Sequence, residues 1–294
     1  MSYSLIGAGF EREISQAQFL AVQTAKQDVI FATVAEETFI IVTQNFNEFE
    51  LELLQAAQMR IASGLGDYAE SMDLRLAIDR RLLNILTASR LYLDQTSYVL
   101  CELFGSNSEE QKQLLGFRSK VYDERFGYRV MEAIRNYAQH RGLAVERIAC
   151  RERNVKSPDA PMWEISIVPE LSSAQLASDS KFKKSVAQQM SDRGEFLDLR
   201  PIVREYVAGL SEIHRMFRGI IDQRFTLAVN RLRGVIREAP DPMFLSAAEQ
   251  SDSRDVIQRV ALPGDLLNRA EELRTRSSGL EVAAVSYVSS ASTR

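Results

Sequence analysis

Two long stretches, 70–104 and 200–238, place apolar residues three and four positions apart with charge in between. In the first, Leu74, Ile78, Leu82, Ile85, Leu86 and Leu93 form one face of a 3.6-residue repeat, and Arg75, Asp79, Arg80 and Arg90 fall mostly away from it. In the second, Ile202, Tyr206, Leu210, Ile213, Phe217, Ile220, Ile221 and Phe225 line one face. Helices of this length owe most of their stability to burying such a stripe, so they require partners of similar length. Gly105 and Asn107 stop the first, and Ser108 with Glu109 starts another, expected over 109–141 with an interruption near Gly116 and Gly142 as its C-terminal cap. Asp198 ahead of Leu199-Arg200-Pro201 reads as the N-cap of the last long helix, which Pro240 and Pro242 end. The expected fold is mainly α, a helical bundle of long antiparallel helices with a minor β-hairpin or sheet.

The β part is expected in two places. Residues 28–44 read as two short strands, Val29 to Val34 and Thr38 to Val42, because both are rich in β-branched and aromatic residues. A helical pattern follows over 48–61, then a glycine-containing break at 63–68. Residues 145–168 alternate, pass through a loop at NVKSPDAP, and alternate again, as in a hairpin with a long connection. Residues 176–192 are weakly helical, a helix is expected in GDLLNRAEELRTR near the end, and the serine-rich terminus is irregular. This divides the chain into an accessory segment 1–66, a bundle 67–240 carrying the hairpin 145–168, and a C-terminal helix and tail 241–294.

The net charge of -4 is unlike that of a basic nucleic-acid-coating protein, although a local basic cleft can exist on an acidic chain. Arginine outnumbers lysine about four to one, which suits bidentate contacts to carboxylate or phosphate. Cys101 and Cys150 make no disulfide framework, and with two distant histidines they make no zinc pattern. No metal or other cofactor is expected. The N-terminus lacks the basic start and long apolar core of a signal peptide, and no run read as apolar approaches the ~20 residues of a membrane span. These features suggest a cytoplasmic protein with no membrane partner.

The stretch RNYAQH, Arg135 to His140, carries one of the two histidines. On a helical wheel, Phe126, Val130, Ala133, Ile134 and Tyr137 share one arc, and Arg125, Arg129, Glu132, Arg135, Asn136, Gln139 and His140 the other. A solvated helix face has this composition. So does a phosphodiester site: arginine offers paired donors to a phosphate, and histidine moves a proton near neutral pH.

A helical bundle in which a late helix carries an arginine, a polar residue and a histidine four to six residues on resembles the HEPN superfamily of ribonuclease-like domains. Arg135, Asn136 and His140 match that pattern closely, and the surrounding 70–238 matches by architecture alone. The resemblance implies a metal-independent endoribonuclease forming a 2′,3′-cyclic phosphate, in a toxin–antitoxin or phage-defence setting. It implies a homodimer whose motif helices face each other, an RNA substrate, and room for a regulatory protein partner. Arg135 and His140 would be catalytic, with Asn136, Arg129 and Glu132 in support. Some toxin members carry a modified tyrosine two residues after the histidine, where this chain has Gly142.

The alternative is a non-catalytic helical dimerisation or protein-interaction module. Arginine–carboxylate pairs across the polar arc, neutralising Arg129 and Arg135 through Glu132 and its neighbours, would favour it. The remaining candidates are weaker. His214 reads as a surface or half-buried helix residue. Gly7-Ala8-Gly9-Phe10 lacks the rest of a phosphate-binding fingerprint. Trp163 reads as a core or half-exposed anchor, and Cys101 as a buried thiol.

Overall fold

The computed structural model describes residues 1–64, 67–156, 161–239, 245–276 and 280–286. The chain is mainly α with a small antiparallel β part. Its elements are β1 (Ser2–Gly7), β2 (Phe10–Ile14), α1 (Gln16–Ser63), α2 (Tyr68–Phe104), α3 (Glu109–Glu124), α4 (Phe126–His140), β3 (Arg147–Lys156), β4 (Pro161–Ser172), α5 (Ser173–Ser178), α6 (Lys184–Ser191), β5 (Phe196–Asp198), α7 (Leu199–Arg237), β6 (Ser246–Gln250), β7 (Val256–Ala261) and α8 (Gly264–Arg276), followed by a 3-10 turn, Leu280–Val285.

The largest departure from expectation is α1. Residues 29–34 and 38–42 are helix, continuous with 48–61. Their β-branched content is overridden by burial: Phe19, Val22, Ala25, Val29, Ala32, Ala35, Phe39, Val42, Phe46, Phe49 and Leu53 are all buried, at helical spacing. Ser15 and Gln18 start the helix reciprocally. Gln18 N–H donates to Ser15 Oγ at 3.1 Å, and Ser15 N–H donates to Gln18 Oε1 at 2.8 Å. The most apolar 18-residue window of α1 has a mean hydropathy of 1.2, a value that membrane spans also reach, and half of it is buried within the protein. Dividing this stretch into strands hid that property.

The chain forms two compact units, each drawing on α1, α2 and α7. The first comprises Met1–Ile40, Tyr92–Leu114 and His214–Ser278. In it, Phe31 meets Tyr98 and Phe39 meets Tyr92, so α1 and α2 run antiparallel. Glu36 meets His214 and Arg218, and Asp28 meets Arg224, so α7 is antiparallel to α1 as well. This unit also holds a four-stranded antiparallel sheet ordered β2-β1-β6-β7. Sequence periodicity missed all four strands, which are short. GAGF is the β1–β2 turn, with Gly7 opposite Phe10 and Gly9 at φ +66°.

The second unit comprises Ile41–Leu91, Leu115–Ile213 and Gly279–Arg294. The expected hairpin is present as β3–β4, paired from Arg147–Glu170 to Lys156–Pro161, and β5 adds to β4 at Glu170–Ser172. It is a separate sheet from that of the first unit. Strand β3 extends through Lys156 and β4 begins at Pro161, so the described part of the expected connection, 154–156 and 161, is strand, and 157–160 lie outside the described residues. Trp163 on β4 is exposed.

The helix expected over 109–141 is two helices, and the break falls at Arg125, not near Gly116. Arg125 is extended, at φ -110° and ψ 117°. The Gly127 N–H donates to Glu205 Oε2 of α7 at 2.7 Å. A Cβ on Gly127 would lie 2.7 Å from the Ile202 carbonyl oxygen, so only glycine lets α4 approach α7 this closely. Gly142 does not act as a left-handed cap: α4 ends at His140, and the Arg141 N–H closes it on the Tyr137 carbonyl at 2.8 Å. The N-cap of α7 is as expected, with Asp198 Oδ1 accepting the Arg200 N–H at 2.9 Å. The prolines expected to end α7 and the serine-rich tail lie outside the described residues.

Two alanine substitutions should have opposite signs. Gly127→Ala forces atoms against the α7 backbone and should destabilise by about 1–3 kcal/mol, the usual range for overpacking. Gly116→Ala, on α3 with nothing near its Cβ position, should stabilise by roughly 0.5–1 kcal/mol. Urea unfolding of the two variants checks both.

Candidate functional site

Helix α4 buries Tyr128, Val130, Met131, Ala133 and Ile134 and turns its polar arc outward. The Tyr128 ring lies 4.8 Å from the Tyr206 ring of α7. The Tyr206 hydroxyl donates to Glu132 Oε1 at 3.1 Å. Burial first, and then the Glu132 charge, push the Tyr206 hydroxyl well above its ordinary pKa, so it stays protonated and serves as a donor. Glu132 Oε2 lies 3.2 Å from the Arg135 guanidinium. Arg135 Nη2 also points at Asn136 Oδ1, at a long 3.4 Å. A row Tyr206–Glu132–Arg135–Asn136 therefore runs from the core to the surface. Arg135 Nε is buried without a hydrogen-bond partner.

His140 is the last residue of α4, is exposed, and has no hydrogen-bond partner among the described residues. It stands five residues after Arg135, so it is turned about 140° from it around the axis and lies roughly 7.5 Å further along. Within one chain the two side chains leave the helix in different directions. A phosphate could meet both only where it lies across the end of the helix or where a second copy supplies one of them.

Arg129 is not part of this row. Its Nε donates to Gln189 Oε1 at 3.1 Å, and its Nη1 donates to the carbonyls of Tyr122, at 3.0 Å, and Asp123 at the end of α3. It satisfies carbonyls left open where α3 stops. Arg125 pairs with Glu212 at 2.5 Å, and Arg141 with Asp179 at 2.9 Å.

The chain just beyond α4 is held by α2. Arg75 Nη1 donates to the Val145 carbonyl at 3.1 Å, and the Val145 N–H donates to Asp79 Oδ1 at 3.1 Å. Asp79 is 2% exposed, and its second oxygen is buried without a partner. Burial raises this carboxyl to about 6, against the downward pull of the Val145 hydrogen bond and the Arg75 charge.

The other histidine is in the first unit and is buried, not at the surface: His214 is 2% exposed. Its Nε2 lies 3.1 Å from Glu36 Oε2, and its Nδ1 lies 3.1 Å from the Tyr92 hydroxyl. Arg218 adds a bidentate pair to Glu36 at 2.8 and 2.6 Å. Phe39 stacks on the imidazole at 3.9 Å. Burial lowers the imidazole pKa, so the ring is neutral at pH 7. A carboxylate can only accept, so Nε2 carries the proton and Nδ1 accepts from Tyr92. Burial acts to raise the Glu36 carboxyl, but hydrogen bonds from His214 and Arg218 outweigh it and hold it at about 2. These polar groups are partnered within a buried cluster, which serves as a structural lock.

Neither Tyr206 nor Asp79 was recognisable as a supporting residue in the sequence. Glu36 was recognisable in principle, because a helical reading of 25–49 places it in a buried stripe. Among the described residues no group of three or more histidine, cysteine, aspartate or glutamate side chains could hold a metal ion. Cys101 and Cys150 are free and half-buried, and Cys101 Sγ lies 3.1 Å from Ser106 Oγ.

The raised Asp79 pKa has a definite sign. The folded protein holds this proton more tightly than the unfolded chain, so the stability this group contributes is fully present below about pH 4 and is lost as the pH rises through about 6, by on the order of 3 kcal/mol. Asp79→Asn keeps the acceptor for Val145 and removes the titration. The stability difference between wild type and variant, measured by urea unfolding from pH 4 to 7, should shift progressively in favour of the variant. Comparison of the chain with protein-family models, curated proteins and solved structures gives no match.

Proposed function

We propose that the chain is a metal-independent endoribonuclease of the HEPN type, acting through Arg135 and His140 on α4. The observation that carries this reading is the row Tyr206–Glu132–Arg135, which anchors a partly exposed guanidinium, on a helix whose exposed last residue is a histidine with no described partner. Arg135 binds a non-bridging phosphate oxygen. His140 of one copy takes the proton from the ribose 2′-hydroxyl as that oxygen attacks phosphorus. The bond from phosphorus to the 5′-oxygen breaks, and that oxygen takes a proton from the second copy's His140. The products are a 2′,3′-cyclic phosphate and a 5′-hydroxyl, with no other reactant consumed. In this scheme a second copy supplies the facing His140, because Arg135 and His140 of one chain diverge around the helix. Glu132 and Asn136 are positioning residues in this scheme, and Arg129 is structural.

A second reading, a non-catalytic helical dimerisation or interaction module, is favoured by a specific observation. Arg135 is paired with Glu132, Arg125 with Glu212 and Arg141 with Asp179, so much of the positive charge around α4 is already offset. Little is then left to attract a polyanion.

The two readings separate on RNA. Purified wild type, incubated with total RNA in the presence of EDTA, should release fragments ending in 2′,3′-cyclic phosphate. His140→Ala and Arg135→Ala should each lower the rate by about 100-fold or more while circular dichroism and melting are unchanged. Equal cleavage by wild type and His140→Ala would remove the nuclease mechanism, and no cleavage by any of them would favour the interaction module.

A further inference from the structure

The end of the α1–α2 hairpin has an unusual property. From Leu54 to Ala77, none of the described residues is buried. This covers nearly three turns of each helix. Within the second unit, Arg81 binds Glu48 and Glu52, so α1 and α2 are antiparallel there and these turns lie alongside one another. Below this level the hairpin has a core, with Leu53 on α1 and Ile78, Leu82 and Ile85 on α2 all buried. Above it the sequence remains apolar. Leu54, Met59, Ile61, Tyr68 and Leu76, with Leu51 just below on α1, are between 42% and 81% exposed. Two helices with no buried residue lack the packing that normally stabilises a helix in a protein.

We propose that this hairpin end is an interface with a second copy of the same chain, the two hairpins closing into a four-helix bundle. Two observations favour a copy over another partner. Summed over this end of the hairpin, the six exposed side chains offer roughly 700 Å² of mainly apolar surface, close to the ~800 Å² that each partner contributes to a stable interface. The charges are also self-complementary. Arg60 lies at the end of α1, while Glu70 and Asp73, whose side chains have no partner among the described residues, lie in the first turns of α2. A two-fold axis that brings the end of one α1 against the start of the other α2 pairs these opposite charges twice.

The test is the mass of the full-length protein in solution, by size exclusion with light scattering at micromolar concentration. The chain weighs 33.2 kDa. Leu54→Glu/Ile61→Glu should halve the mass seen for wild type, with circular dichroism unchanged. Tyr68→Lys/Leu76→Lys on the other helix should do the same, which guards against one pair failing to fold. Equal masses for wild type and both variants overturn the proposal. Binding of wild type to phosphatidylcholine vesicles, lost in the variants while the masses stay equal, would assign the patch to a lipid surface instead and also overturns it. Because the comparison is between variant and wild type, pairing through α4 does not alter its reading.

Discussion

A buried carboxylate organises the first unit. Glu36 on α1 is 1% exposed, and its two oxygens accept from Arg218 and His214 of α7, while His214 in turn accepts from Tyr92 of α2. An ion pair in such a place adds little net stability, because desolvation of both partners offsets much of their attraction. What it adds is register. A slip of one turn in any of the three helices would leave a charge or an imidazole buried without a partner, a far larger penalty than the loss of an apolar contact. Asp28 with Arg224 repeats the arrangement two turns away on the same helices.

The second unit uses a different device at the candidate site. Glycine at 127 lets α4 sit against the α7 backbone, and Glu205 and Glu132 then tie the two helices with hydrogen bonds at the helix start and along its length. The chain leaving α4 is fixed again by Arg75 and Asp79. The outward arc of α4 is thus held at both ends by rigid elements, which suits a site whose groups must be placed within a fraction of an ångström. The same rigidity would serve a protein interface equally well, and the chemistry of Arg135 and His140 is what separates the two readings.

The long helices α2 and α7 were legible because their apolar stripes are uninterrupted, and α7 also starts at its expected cap, Asp198. The first half of α1 was not, because residues 28–44 are rich in Val, Ile, Phe and Thr and Glu36-Glu37 resembles a turn between two strands. Only the stripe running from Phe19 to Leu53, seen over its whole length, reveals the helix. The break at Arg125 was invisible for a different reason: it is imposed by α7, more than 70 residues away, and nothing local distinguishes Gly127 from Gly116. The short strands β1, β2, β6 and β7 carry too few alternations to register. At the candidate site, Arg135, Asn136 and His140 were legible as a local pattern and Glu132 as a helix neighbour. Tyr206 and the role of Arg129 depend on tertiary contacts that no spacing encodes.

The claim on which this account most depends is that His214 is a neutral, Nε2-protonated member of a closed buried network. With only two histidines in the chain, imidazole ¹⁵N NMR can observe each one, and His140→Ala assigns the remaining signal. The His214 resonances should report the neutral Nε2–H form at pH 7 and titrate with a midpoint below 6.5, because protonation demands a second buried charge. A His214 signal that titrates at or above 6.5, or that reports the Nδ1–H form, would contradict it.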